Sequence, residues 1–149
     1  MTGRARFVLA LVAFLAWIGV LALTVAKNGR FPVLSRAQLA AAKSLVVAEV
    51  TIDAQGLPVE AVTVTATVAG TPVTGTVRIA NLPTALAAGS YKSPVAGAYL
   101  IPIVPAADGA FRIAGLPPSP GVNVPQPTRP TIYPWVDEVR AQLATLGLP

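Results

Sequence analysis

Twenty consecutive residues, Phe7 to Ala26, read FVLALVAFLAWIGVLALTVA and carry no charge. As an α-helix such a run spans about 30 Å, the thickness of a bilayer's hydrocarbon core. Every face of that helix is apolar, so it has no side suited to water. The run predicts a transmembrane segment over 7–26. Its flanks are basic on both sides: Arg4 and Arg6 precede it, and Lys27, Arg30 and Arg36 come after it. Such balanced flanks give the positive-inside rule little to act on. A short head before a first apolar segment behaves as a signal-anchor, which puts residues 1–6 in the cytoplasm and the rest of the chain outside it. Thr24-Val25-Ala26 also offers a small-residue cleavage site. That is the signal-peptide alternative, although the run exceeds the usual apolar region of about 7–15 residues.

The anchor explains only part of an unusual composition. Of 149 residues, 54% are hydrophobic and 11% charged, where soluble domains carry about 25% charge. The remainder is rich in Ala, Val, Thr and Pro. The net charge is +5, and residues 27–149 carry nine Lys/Arg against six Asp/Glu. This mild, unclustered basicity is not a nucleic-acid footprint. The chain has no cysteine and no histidine. Disulfides and cysteine-bound zinc, haem or iron–sulfur centres are thereby excluded. So are Ser-His-Asp and Cys-His catalysis. No side chain titrates near neutrality without strong perturbation.

A juxtamembrane linker, 27–34, leads to LSRAQLAAAKS. Ser35 with Gln38 three residues on reads as a capping box, and Leu34 and Leu39 as a hydrophobic staple. Lys43 suits the end of this short helix. The stretch 45–52, LVVAEVTI, reads as a buried strand. In 61–69, AVTVTATVA, strict alternation aims Val62, Val64, Ala66 and Val68 at a core. Gly56 and Pro58 mark the intervening turn. Residues 76–80 resume alternation with Val77 and Ile79 inward. Residues 81–97 form the longest irregular stretch, with a helical turn available over PTALAAG, and loops of this length are often functional. AYLIPIV and AFRIA then flank a turn at Asp108-Gly109. Pro102 lacks an N–H, so its strand is expected at an edge or at a bulge.

From Leu116 the chain becomes proline-dense, a tether expected over 116–133. A helix is expected over 134–147. Pro134 suits its first position, and Asp137 and Glu138 meet the positive end of its dipole. Trp135, Val139, Leu143 and Leu146 form one apolar stripe, and Gly147 a terminator. The expected role of this stripe is to pack on the β-domain or a partner.

Two catalytic arrangements are conceivable. Glu49 and Glu60 lie in or beside neighbouring strands, where a paired-carboxylate hydrolase needs a separation of about 5–9.5 Å in a cleft. Ser90, Lys92 and Ser93 offer a Ser/Lys dyad, whose lysine must be desolvated to lose its proton. A cleft holding two of Ser93, Lys92, Glu49 and Glu60 would favour an enzyme, and an apolar patch a binding module. Solvated surface residues are the expected reading, with no catalytic residue, metal or cofactor.

The short helix with SLVVAEVTI, then EAVTVTATVAGTPVTGTVRIANL, then GAYLIPIVPAADGAFRIAG, together resemble small exported OB-fold domains of the TIMP/netrin-like type. In such domains a strand leaves a short helix, a Thr/Val strand ends at a glycine, and a Gly-x-Tyr-Leu strand forms a hairpin. The cysteines that staple the animal members are absent, so no site residue carries over. The anchor, the strand-rich middle and the IYPW tail also resemble small bacterial membrane-anchored proteins. The expected fold is mainly β: an OB-like five-stranded β-barrel over 35–115, or alternatively an immunoglobulin-like sandwich, with a short N-terminal helix and a C-terminal helix. The expected function is that of a membrane-anchored extracytoplasmic binding or scaffolding module. Its candidate binding residues are Tyr91, Lys92, Tyr99, Tyr133 and Trp135. Its expected partners are membrane lipid along 7–26 and a protein or second copy, not nucleic acid.

Overall fold

The computed structural model describes residues 3–28, 32–90, 92–115 and 129–148. They fall into two compact units, Met1–Phe31 and Pro32–Pro149. The first contains one helix, α1 (Gly3–Asn28). From Phe7 to Val25 it is long and apolar enough to cross a membrane, and every side chain in that span is exposed. The Thr24 hydroxyl donates back to the Val20 carbonyl at 2.8 Å. That satisfies the one hydroxyl of the span, as a helix in hydrocarbon requires.

The second unit is dominated by a seven-stranded sheet. Its elements run α2 (Arg36–Ala41), β1 (Ser44–Val50), β2 (Ala61–Gly70), β3 (Gly75–Arg78), a 3-10 turn (Leu82–Thr84), β4 (Leu86–Ala87), β5 (Gly97–Pro105), β6 (Phe111–Ile113), β7 (Thr131–Pro134) and α3 (Asp137–Thr145). The strand order is β3-β2-β1-β5-β7-β4, with β6 on β5 beside β7. All pairs are antiparallel except β4 with β7. The sheet is not a closed five-stranded ladder. It has two more strands than expected, β4 and β7, and β3 meets β6 through one isolated parallel bridge, Ile79 to Phe111.

β1 is buried on both faces, and that organises the unit. Val46, Ala48 and Val50 join Val62, Val64, Ile79, Tyr99, Ile101, Ile103 and Ile132 in an inner core. Leu45 and Val47 point the other way, into an outer core with Leu34, Leu100, Tyr133, Val139 and Leu143. Strict alternation in β2 fails for a related reason. Its pairing with β1 shifts between Val47 and Ala48 and again between Leu45 and Val46. Each shift inserts one extra β2 residue and reverses the facing of the residues beyond it. Val62 and Val64 are therefore inward, Ala66 is exposed, and Val68 packs against the outer core.

Pro102 lies in a central strand, not at an edge. β5 is flanked by β1 on one side; on the other, β7 pairs Tyr99 and Leu100 while β6 pairs Ile103 to Pro105. The Pro102 carbonyl accepts from the Ala114 N–H at 2.8 Å, so its missing N–H faces the same side. The donor that the β5–β6 register would ask of it, for the Ala114 carbonyl, is supplied instead by Gln38 Nε2 at 2.8 Å.

The C-terminal boundaries also move. Residues 116–128 of the expected tether lie outside the described residues, but Thr131–Pro134 is strand β7, and the helix begins at Asp137. Tyr133 pairs with Leu100 across the sheet, so strand pairing outweighed the local preference for proline at a helix start. The stripe itself holds. Val139 and Leu143 are buried, and Trp135 and Leu146 pack beside them. Burying each of the first two contributes about 1.5–3 kcal/mol. Gly147 ends the helix at φ +72°. The linker expected over 27–34 is likewise part of the fold from Pro32 on. Gln142 of α3 donates to the Pro32 carbonyl at 2.8 Å and accepts from the Leu34 N–H at 3.0 Å.

Only half of the capping box forms. Ser35 Oγ accepts from the Gln38 N–H at 3.3 Å. The Gln38 side chain, 1% exposed, turns inward instead. Its Nε2 donates to the Ala114 carbonyl at 2.8 Å and to the Thr131 carbonyl at 2.9 Å. Its Oε1 accepts from the Tyr133 hydroxyl at 2.6 Å, and that hydroxyl accepts from the Ser35 N–H at 3.1 Å. One amide thus ties α2 to the chain after β6 and to β7.

Candidate functional site

A groove of about 350 Å³ opens where α2, the start of β1, the end of β2 and the end of α3 converge. Leu39, Leu45, Ala69, Leu146 and Leu148 give it apolar walls. Two exposed cations, Arg36 and Lys43, also line it, and no acidic residue does. Its floor is a close backbone crossing. The Lys43 N–H donates to the Ile103 carbonyl at 2.9 Å, and the Ser44 hydroxyl donates to the Thr71 carbonyl at 2.8 Å. Gly70 sits in that crossing at φ +87°. A side chain there would run into the Lys43 carbonyl and the Ser44 Cα.

None of the expected binding residues lines this groove. Tyr91 lies outside the described residues. Lys92 is exposed and bridges to Ala87. Tyr99 is 4% exposed within the inner core, and its hydroxyl accepts from the Val95 N–H at 3.1 Å. Tyr133 is 1% exposed. Burial pushes its phenol pKa up, partly offset by the Ser35 N–H. Neither tyrosine ring lies at the surface: each faces a core of the sheet. Trp135 is half-buried against the outer core, with the Arg140 guanidinium 5.0 Å from its ring centroid. That cation–π contact holds the indole against α3, which begins two residues further on.

The 81–97 segment is more ordered than expected. It holds the 3-10 turn and β4, and it buries Leu82, Ala85, Ala87 and Ala88.

The carboxylates are spread over the surface. Glu60 accepts from Arg78 Nε at 2.8 Å, and Asp108 lies 3.8 Å from the same guanidinium. The bond to Glu60 and its charge raise the Arg78 pKa above its ordinary value. Asp53 Oδ1 accepts from the Gln55 and Leu57 N–H groups and shapes the β1–β2 turn. Glu49 is exposed on β1. Among the described residues no three acidic side chains converge on a metal-sized site, and no buried side-chain polar atom lacks a partner.

The groove residues carried a sequence signal of their own. Arg36, Leu39, Ala40 and Lys43 stand at i, i+3, i+4 and i+7, one side of a helix. Reading Lys43 as a partner of the helix dipole obscured it, since α2 ends at Ala41. No family model, no curated protein and no solved structure matches the chain.

Proposed function

We propose that the chain is a membrane-anchored binding module that takes up an apolar group in the groove between α2, β1, β2 and the end of α3. Helix α1 spans the bilayer, residues 1–6 lie in the cytoplasm, and the folded unit faces the cell envelope. The observation that carries this reading is the groove, whose apolar walls no side chain among the described residues fills. An unoccupied apolar concavity of a few hundred Å³ is a usual ligand site. It contains none of Ser93, Lys92, Glu49 and Glu60, the residues on which a hydrolase would depend.

Because the chain lacks cysteine, one cysteine at Ala40 accepts a bimane fluorophore without competition. With the full chain in phosphatidylcholine discs, dodecanol should blue-shift the bimane at position 40. The same label at exposed Ala107 should not respond. Equal responses at both positions, or none, would reject the groove as a site. Orientation is tested separately. Alkaline phosphatase fused after Pro149 should be active, and an inactive fusion would place the folded unit in the cytoplasm.

The architecture best fits an OB-like barrel. Pairing runs β1-β2-β3 and β1-β5-β6, and the Ile79–Phe111 bridge would close the circuit. Support comes from the Ala80 N–H, which donates to the Phe111 carbonyl at 3.0 Å. Hydrogen exchange at the Ala80 amide should then be as slow as in β1. Exchange at the rate of an exposed loop would leave the sheet open at that seam.

A further inference from the structure

We infer that the groove selects a single-chain carboxylate amphiphile, a free fatty acid of about twelve carbons, with its tail on the apolar walls and its head at Arg36 and Lys43. The inference rests on the groove being a binding site, as proposed above, and adds the chemistry of the occupant. Three observations converge. The walls are aliphatic and lack the aromatic rings that would grip a flat ligand. The two charged residues that line it are both cations, so its field complements an anion and disfavours a cation of the same shape. The volume, about 350 Å³, is that of about a dozen liquid waters at roughly 30 Å³ each, a bulk that suits one alkyl chain of about twelve carbons and not two. A second acyl chain would be left in water, which favours a free acid over a two-chain phospholipid.

Among the described residues neither cation is tied to an acid. Of the acidic residues, Glu60, Asp108 and Asp137 pair with Arg78 and Arg140, and no ion pair among the described residues involves Arg36 or Lys43. Both remain available to a carboxylate head. Ion pairs at such exposed positions are individually weak, so the tail supplies most of the affinity and the head supplies the selection.

The bimane-labelled full chain in phosphatidylcholine discs also decides this question. Dodecanoate should shift the label at lower concentration than dodecanol, and dodecyltrimethylammonium should be weakest. Shortening the acid to decanoate should weaken binding by about tenfold, since each buried methylene is worth up to about fourfold. The double variant Arg36→Gln, Lys43→Gln should lose about fivefold for dodecanoate while leaving dodecanol unchanged. Equal affinity for the acid, the alcohol and the ammonium compound would overturn the acid selection but leave the groove as a site. A response to phosphatidylglycerol added to the discs, with none to dodecanoate, would overturn the free acid in favour of membrane lipid. No response to any of these probes would remove the groove reading itself.

Discussion

Replacing Gly70 with alanine should destabilise the folded unit by about 4 kcal/mol. Two independent costs add. The residue holds φ +87°, a conformation that β-carbons disfavour. The added methyl would also meet backbone: the Lys43 carbonyl, and the Ser44 Cα at 2.8 Å. Backbone cannot swing aside as a flexible side chain does. The crossing would have to open, and the Thr71 N–H to Lys43 carbonyl contact and the Ser44 to Thr71 bond would open with it. Pulse proteolysis of the full chain across a urea series should show the midpoint collapsing. Gly56→Ala is the control. It also has positive φ, +80°, but nothing lies within 4 Å of its added carbon, so about 1 kcal/mol is expected. Equal losses at the two positions would show that the close approach at Gly70 carries no special cost.

Gln38→Met should cost a similar amount, about 4 kcal/mol. The substitution keeps the volume and removes all three polar contacts. The Ala114 and Thr131 carbonyls lose their Gln38 donor, and the Tyr133 hydroxyl loses its acceptor. Buried groups left in that state cost about 1–3 kcal/mol each. Tyr133→Phe should cost less, because only the Gln38 carbonyl and the Ser35 N–H lose a partner. It should also change the pH response. Burial raises the Tyr133 pKa above its ordinary value, so the neutral phenol is the form the fold favours. Its contribution is complete below about pH 10, the unfolded value, and is lost as pH rises through the higher folded value. An ionised oxygen would face the Gln38 carbonyl oxygen with no proton to share. The urea midpoint of the wild-type chain should therefore fall above about pH 10 more steeply than that of Tyr133→Phe. Parallel alkaline limbs would show that Tyr133 does not couple folding to pH.

Much of this network was hidden in a correct local reading. Ser35 and Gln38 have the spacing of a capping box, and Ser35 does cap α2. The sequence has no means of showing that a buried tyrosine hydroxyl, 95 residues away, competes for the Gln38 amide. The tyrosines illustrate the same limit. Tyr99 and Tyr133 have the amphipathic chemistry of binding residues, and the signal at each position suits a surface or a core equally well. The choice is made by the neighbouring strands. In β2 the alternation of valine and threonine predicted one buried face, and two bulges divided it between two cores.

The amino-acid sequence by itself determined the apolar α1 span, the strand-forming middle of the chain, the short α2 and the stripe of α3. It also excluded histidine and cysteine chemistry. These are properties of periodicity and composition, which act over one or two turns of chain. Tertiary structure decided the rest. β7 was drawn from an apparent tether into the sheet because β5 left Tyr99 and Leu100 with open backbone partners. The groove exists because α2, α3 and the β1–β2 crossing leave between them a space that their side chains do not fill. Neither the open partners nor the unfilled space belongs to any one segment, so no local pattern records them.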